Sequence, residues 1–358
     1  MSLFNDQKLK LGVFCFNCSG GMTMSEASSL KIEWPEMVKI AKSADRIGFE
    51  AIVPVARWRG YGGATNHNGV NYEPFTWAAG LAAETERATI FSTCHLPIWH
   101  PIAAAKMATT IDHISAGRFG MNLVMGWFTE EMEMFGHQQR EHDLRYEYGT
   151  EWVEIVKRVW SEEEGFDYRG RFFDLADVSS QPRPLQQPRP VLINAGSSPA
   201  GVDFATREVD FNLCSMTTLE AAAELVKQVQ RKAWDEYRRK VGVITHVTIL
   251  CRDTEREADE EFERLMELGD WEGADNWIEI LGIESESFGE MIREFRSRFI
   301  SGASHVVKGT PEQVAAELEQ ISATGIEGVF FGFLDYAREV EEFGEKVMPL
   351  LVEAGLRH

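Results

Sequence analysis

Hydrophobic residues along the chain follow two alternating patterns, short runs of β-forming residues and longer stretches with helical spacing. Residues 34–47 illustrate the helical pattern, because apolar side chains recur there every three to four positions and Gly48 follows where a helix would end. Short apolar runs predict eight strands, at residues 9–16, 51–55, 88–94, 119–125, 191–194, 211–214, 243–250 and 328–333. Helices are predicted between and after the strands, at residues 34–47, 74–84, 101–114, 144–160, 219–237, 311–322 and 340–351.

Eight strands that alternate with helices from end to end predict an α/β fold, a parallel (β/α)₈ or TIM barrel, rather than an open doubly wound sheet. Because connections in such a barrel are short, two long connections stand out as insertions. Residues 162–190 follow the fourth strand and its helix, and contain a predicted hairpin at 168–175 and a proline-rich connector. Residues 252–305 follow the seventh strand, and their acidic, amphipathic pattern predicts two or three extra helices over the barrel mouth. We expect residues 1–358 to form one domain.

Composition narrows the classes of function. The formal net charge of −21 disfavours binding to nucleic acids or to anionic membranes. No run of 18 apolar residues and no N-terminal signal sequence is present, so a cytoplasmic protein is expected. The five cysteines are spread through a long chain and fit reduced thiols better than a disulfide framework.

The loops that follow the predicted strands are rich in aromatic residues, and barrel enzymes place their active sites on these loops. Aromatic rings suit stacking on a planar ligand, although large rings can equally serve only to close the barrel top. The candidate substrate contacts are Trp58, Tyr61, Trp99 and Trp127. His95 and His100, after the third strand, are candidate acid–base or substrate-orienting groups.

An anion site is indicated by the turn of Gly196, Ser197 and Ser198, which precedes a short helix. Free backbone N–H groups and a serine hydroxyl at a helix N-terminus bind phosphate, and the simpler alternative is an ordinary N-cap serine. Arg145 and Tyr146 begin another helix. Taken alone, they are interpreted more simply as a surface arginine and a packed tyrosine.

Other chemistries receive little support from the sequence. The Cys15-x-x-Cys18 pair has no second cysteine pair at zinc spacing, so no metal site is expected. The chain has no Walker loop, no G-x-S-x-G motif and no G-x-G-x-x-G motif after a strand. NTPase, hydrolase and Rossmann dehydrogenase functions are therefore disfavoured.

The most specific motif lies in residues 101–127, PIAAAKMATTIDHISAGRFGMNLVMGW. This run resembles the bacterial luciferase-like flavin-dependent monooxygenase superfamily, and the resemblance extends over essentially the whole chain. Within the superfamily the chain is similar to the group that holds pyrimidine monooxygenase, dimethylsulfone monooxygenase and riboflavin lyase. Shorter matching segments lie at residues 59–63, 170–173, 182–184, 195–198 and 342–344.

The resemblance implies that reduced FMN (FMNH₂) is the cofactor and O₂ the co-substrate. It also implies a separate NAD(P)H:flavin reductase as partner, and a homodimer or homotetramer. The positions that match flavin contacts of the family are Ala56, Arg57, Asn122, Glu131, Arg145, Tyr146 and Ser198. At Arg57 the pyrimidine enzymes have lysine, so this chain departs from them but keeps the charge. Asn122 is also a candidate catalytic residue, because polar donors near it would stabilise developing negative charge.

The reaction that the resemblance implies is oxidative cleavage of a C–N or C–S bond in a small molecule. The aromatic loops favour a nitrogen heterocycle, such as a pyrimidine-like or flavin-like compound, as substrate. Three alternatives remain open: a small sulfone monooxygenase, a deazaflavin-dependent oxidoreductase on the same scaffold, and a flavin-binding protein without catalytic activity.

Overall fold

The computed structural model describes residues 2–284 and 297–358. Over these residues, the strands are β1 (Lys10–Phe14), β2 (Ala51–Val53), β3 (Thr89–His95), β4 (Phe119–Val124), β5 (Phe166–Arg169), β6 (Asp174–Val178), β7 (Val191–Asn194), β8 (Phe211–Cys214), β9 (Gly242–Cys251), β10 (His305–Gly309) and β11 (Gly328–Gly332).

The helices surround these strands and follow them in sequence. They are α1 (Trp34–Ile47), α2 (Pro74–Glu84), α3 (Pro101–Ile114), α4 (Thr129–Met134), α5 (His142–Ser161), α6 (Pro199–Glu208), α7 (Leu219–Tyr237), α8 (Glu255–Glu267), α9 (Trp271–Glu284), α10 (Ser297–Ile300), α11 (Pro311–Ala323), α12 (Tyr336–Lys346) and α13 (Met348–Glu353). Among the residues that the structure describes, none of the helices is both long enough and apolar enough to span a membrane.

Eight parallel strands close into a barrel in the order β1, β2, β3, β4, β7, β8, β9 and β11, and β11 pairs back with β1. Strands β3 and β11 are buried along their whole length, as expected for parallel strands covered outside by helices. The predicted (β/α)₈ barrel is confirmed.

Large rings fill part of the barrel interior. Phe91, Phe211 and Phe330 belong to one buried apolar cluster of side chains from the barrel strands. Gly120 makes room for the first of these rings, because a Cβ atom at this position would lie 2.4 Å from Cε1 of Phe91. The barrel is therefore a packed core rather than a channel, and a ligand must bind at its rim.

Strand β9 is the longest strand of the barrel and pairs with three neighbours. Its first residues, from Gly242 to Thr245, pair with β8, whereas residues from Val247 onward pair with β10. Strand β10 was not predicted, since the sequence assigned His305 only to the end of an insertion. The apolar pair Val306 and Val307 is too short a run to indicate a strand without its partner, and β9 supplies that partner.

The two long connections carry additional elements. Strands β5 and β6 form an antiparallel hairpin with one register irregularity. This hairpin is held against α5 by the Glu151 carboxylate, which accepts from the backbone N–H groups of Arg171 and Phe172. The second connection contains α8, α9 and α10, and residues 285–296 of the predicted insertion lie outside the described residues.

A buried ion pair fastens the end of the chain to the barrel. Nη1 of Arg357 lies 2.6 and 2.7 Å from the two carboxylate oxygens of Glu50, and both side chains are about 5% exposed or less. The same guanidinium donates to the carbonyls of Leu9 and Gly48, and Glu50 accepts from the N–H of Leu11. The ion pair thus joins the segments that lead into β1 and β2 to the last residues of the chain.

Replacing Arg357 by methionine is expected to lower the free energy of unfolding by about 3–5 kcal/mol, because Glu50 would stay buried without its counter-charge. Lys42→Met is the matched control. Lys42 forms an exposed ion pair with Glu84 at 3.0 Å, so its loss should cost less than about 1 kcal/mol. Urea denaturation of both variants measures the difference, and equal losses would contradict the assigned role.

Candidate active site

The carboxyl ends of the barrel strands surround a cavity of about 480 Å³. His95 and Asn122 reach it from the ends of β3 and β4, and the loop after β2 contributes Ala56, Arg57 and Tyr61. The cavity therefore collects side chains from loops that are far apart in sequence, at the end of the barrel where such enzymes bind their ligands.

A second cavity, of about 200 Å³, adjoins the first and is lined by Arg145, Tyr146 and Ser198. Val124 and Trp127 belong to the walls of both cavities. The structure thus brings the predicted phosphate-side residues beside the predicted ring-side residues along one continuous site.

The backbone at the smaller cavity is shaped by two glycines. Ser198 is the N-cap of α6, and its Oγ accepts from the N–H of Gly201 at 3.1 Å. A Cβ atom on Gly201 would lie 2.7 Å from both Cα of Gly196 and the hydroxyl of Tyr146. Only glycine at these positions lets the turn and Tyr146 approach each other, and the turn places the helix N-terminus at the cavity. Such an N-terminus suits an anionic group.

A buried ion pair organises the larger cavity. Glu131 is fully buried, and its Oε2 lies 3.5 Å from Nη1 of Arg57. The other carboxylate oxygen accepts from the N–H of Trp58 at 2.7 Å, so Glu131 ties α4 to the loop after β2. Arg57 donates to the hydroxyl of Tyr61 at 3.0 Å and lies over the ring of Trp127. The positively charged Arg57 thus lies in the cavity wall, and its counter-charge Glu131 lies behind it.

Asn122 offers an unsatisfied acceptor. Its Nδ2 donates to Oγ1 of Thr93 at 3.2 Å, while its buried Oδ1 has no hydrogen-bond partner among the described residues. A buried acceptor without a partner costs free energy, so Oδ1 of Asn122 is available to accept from a molecule bound in the cavity.

His95 lies close to Glu131, but the 3.7 Å between Nδ1 and Oε2 is too long for a hydrogen bond. Burial, and then the charge of Arg57, lowers the pKa of His95 to about 3. His95 is therefore neutral at neutral pH. It can orient a ligand by hydrogen bonding, but it is not a protonated imidazolium that could act as a general acid.

Four predicted site residues lie outside the lining of both cavities. One is Glu131, which lies behind Arg57. His100 is the N-cap of α3 and accepts from the N–H of Ile102. Trp99 packs against Phe75 at 5.7 Å between ring centroids, and Trp58 packs against the ring of Phe135. The chain turns away from the barrel axis after His95, which carries Trp99 and His100 to the outer helices.

Several lining residues were not predicted from the sequence. His67 and Asn68 come from the loop after β2, His246 from β9, and Trp277 from α9. Alternation along β9 offers a signal for His246, because it is two residues from the inward-facing Ile244. For Trp277 no such signal exists, since a helix in an insertion can cover any part of the barrel.

Residues 9–328 match the family model of luciferase-like monooxygenases. The chain belongs to the luciferase-like monooxygenase family. A dimethylsulfone monooxygenase of Pseudomonas putida, described as FMNH₂-dependent, is 31% identical over 97% of this chain and 96% of its own. The pyrimidine monooxygenase RutA of Acinetobacter baylyi is 31% identical over 96% of this chain and 95% of its own.

Solved structures of other proteins share the fold. A riboflavin lyase solved with modified FMN and riboflavin superposes with a TM-score of 0.86 at 20% identity, covering 98% of this chain and 92% of that one. A long-chain alkane monooxygenase gives a TM-score of 0.85 at 20% identity, covering 99% and 93%. At this level of identity the similarity concerns the barrel itself.

Acidification is expected to destabilise this luciferase-like protein through buried histidines. Burial, followed by the charge of Arg57, lowers the pKa of His67 and His95 to about 3, and burial with Arg298 lowers that of His246 to about 4. In the unfolded chain these rings titrate near 6.5, so below that pH the unfolded state binds more protons. The stability contributed by each neutral ring is complete above pH 6.5. It falls by about 1.4 kcal/mol per pH unit as the pH drops toward the folded pKa.

Denaturation of the wild type and of His95→Gln between pH 7.5 and about 5 tests this dependence. Below pH 6.5 the free energy of unfolding should fall less steeply with decreasing pH in the variant than in the wild type. The two slopes should differ by about 1.4 kcal/mol per pH unit. Identical slopes would show that His95 is not held neutral in the folded protein.

Proposed function

We propose that this protein binds reduced FMN and uses O₂ to oxidise a small organic molecule. The observation that carries the proposal is the pair of joined cavities at the barrel mouth. One has a glycine turn and Ser198 at a helix N-terminus, and the other has an unpartnered buried acceptor on Asn122. The relative described as an FMNH₂-dependent dimethylsulfone monooxygenase supports the same assignment.

The residues fit FMN at both ends. The backbone N–H groups before α6, with Ser198, Arg145 and Tyr146, would hold the phosphate, because a helix N-terminus and a guanidinium both favour negative charge. The smaller cavity adjoins the larger one at Trp127, so a phosphate bound in the smaller cavity would leave the ring to the larger one.

At the ring end, Ala56, Arg57 and Asn122 would contact the isoalloxazine. The Oδ1 atom of Asn122 would accept from a ring N–H, and Thr93 fixes the amide orientation by accepting from Nδ2. Arg57 would place positive charge beside the ring, and Glu131 keeps its guanidinium in place.

Reduced FMN supplies the electrons that activate O₂, so that one oxygen atom enters the substrate and the other leaves as water. The protein's part is to position both molecules and to exclude water from the reduced ring. Tyr61, Trp127 and Trp277 serve the second purpose, because Tyr61 stacks on both tryptophans with interplanar angles of 19° and 14°. His95 and Asn122 would orient the reacting groups without changing their charge.

Within this reaction class we propose cleavage of a C–N or C–S bond, with a nitrogen heterocycle as the preferred substrate. The stacked aromatic layer supports a planar substrate. A small sulfone is the second candidate, supported by the sulfone monooxygenase of Pseudomonas putida. A separate NAD(P)H:flavin reductase would deliver FMNH₂, which agrees with the FMNH₂ dependence named for that relative.

Product analysis by mass spectrometry under ¹⁸O₂ tests the proposed reaction. The protein, FMN and a flavin reductase are incubated with a panel of pyrimidines, other heterocycles and sulfones. One ¹⁸O atom in the product is the expected result. Formation of H₂O₂ alone with every substrate would favour a flavin-binding protein without catalytic activity. Turnover that needs no O₂ would favour a hydride-transferring oxidoreductase.

The phosphate end is tested by Tyr146→Phe. Loss of the hydroxyl beside Gly201 and Ser198 should raise the FMN dissociation constant about tenfold, the value of one hydrogen bond to a charged group. Tyr168→Phe is the control, because its hydroxyl donates to Glu154 in the β5–β6 hairpin outside both cavities. Fluorescence titration with FMN measures both variants, and an unchanged constant for Tyr146→Phe would remove Tyr146 from the proposed site.

A further inference from the structure

The charge of the larger cavity limits what can bind beside the flavin ring. Among the described residues that line it, Arg57 is the one side chain that is charged at neutral pH. Its charge is already balanced by Glu131, 3.5 Å away and fully buried. The remaining polar lining consists of hydroxyl, thiol, amide, indole and imidazole groups. A charged ligand would therefore lose its hydration here without gaining a counter-ion, which is unfavourable.

His246 presents a free polar edge to this cavity. It lies two residues after Ile244 on β9, so both side chains face the barrel interior. Its ring packs against Phe14 at 5.6 Å between centroids. Neither ring nitrogen forms a hydrogen bond within the described part of the chain, and Nδ1 is buried. A neutral imidazole with both nitrogens unpaired can accept at one and donate at the other.

His67 presents a second polar group of defined tautomer. Its Nε2 lies 2.6 Å from Nδ2 of Asn68, and that same Nδ2 faces the carbonyl oxygens of Ser19 and Gly21 at 3.4 Å. Facing two carbonyls, Nδ2 must be the amide N–H₂ group, so Nε2 accepts and the ring proton lies on Nδ1. This Nδ1 is buried and has no partner among the described residues. His67 is thus a neutral donor held in place by Asn68.

Both histidines line the larger cavity and neither lines the smaller one. A third histidine, His95, also lines the larger cavity and is already assigned to orienting the reacting groups. Together with the groups assigned to FMN, this leaves the imidazoles of His246 and His67 for the second ligand. The ring of His67 lies beside the stacked rings of Tyr61 and Trp277, at 6.1 and 6.3 Å between centroids. The polar groups and the aromatic layer therefore meet in one compartment.

Building on the proposed function, we propose that His246 and His67 form the substrate-recognition edge of the cavity. The substrate they select is an uncharged molecule with a hydrogen-bonding edge, such as a lactam, an imide or a sulfone, in preference to a carboxylate, a sulfonate or an amine. His246 provides one donor and one acceptor for that edge, and His67 provides one donor.

Calorimetric titration with matched neutral and anionic probes tests the charge preference. The pairs are uracil with uracil-6-carboxylate, and dimethylsulfone with methanesulfonate, each added to the FMN-loaded protein at neutral pH. At least one neutral probe is expected to bind, at least about tenfold more tightly than its anionic partner. Equal or tighter binding of the anions, or no binding of either neutral probe at millimolar concentration, would overturn the proposal.

His246→Phe and His246→Gln test the recognition edge. The phenylalanine variant should weaken binding of the neutral probe about tenfold and raise KM more than it lowers kcat, and glutamine should restore part of the affinity because it donates and accepts. The FMN dissociation constant should not change. His305→Phe is the control, since His305 lies on β10 and pairs with Glu317 at 2.6 Å outside the cavity. Unchanged binding in His246→Phe would overturn the assignment.

The two proposals fail in different ways. If neutral probes bind through His246 but no oxygen from O₂ enters any product, the proposed reaction is wrong and the recognition edge stands. If oxygenated product forms equally well from anionic substrates, or in His246→Phe with unchanged KM, the reaction stands and the recognition edge is wrong.

Discussion

The ion pair between Arg57 and Glu131 is the interaction on which the barrel mouth depends. Glu131 has lost all contact with solvent, so its charge is tolerable only because Arg57 and the N–H of Trp58 contact it. The pair joins α4 to the loop after β2 and holds Arg57 under Tyr61 and Trp127. Burial, and then this positive charge, lowers the pKa of His67 and His95, so both rings are uncharged at neutral pH. One ion pair therefore sets both the shape of the mouth and its electrostatic character.

The mouth is completed by a helix from outside the barrel repeat. Trp277 on α9 stacks on Tyr61 at 4.8 Å between centroids, and Asn276 on the same helix donates to the Tyr61 carbonyl. Asp270, just before this helix, accepts from the N–H and the hydroxyl of Thr65. The loop after β2 thus has contacts on two sides, from Glu131 within the barrel and from α9 above it. Both contacts hold the loop that forms one wall of the larger cavity.

The two ends of the site are built by different means. At the smaller cavity the decisive groups are backbone N–H groups, made accessible by Gly196 and Gly201 and by the start of α6. At the larger cavity they are side chains such as Asn122 and His246, each of which keeps a buried polar atom without a partner. Backbone donors suit a phosphate group of any molecule, whereas side-chain groups suit one particular ring or substrate. On the proposed function, specificity would therefore reside in the larger cavity.

Local pattern determined the barrel, because strand and helix periodicities are encoded in neighbouring residues, and residues 101–127 indicated the family. Local pattern did not determine which loop residues meet. Trp58 and His100 follow the right strands yet lie outside both cavities, whereas His246 and Trp277 reach the larger cavity from a strand interior and an insertion. Contacts among these groups depend on the closure of the sheet and on the packing of α9, both of which join residues distant in sequence. Tertiary structure alone decides them.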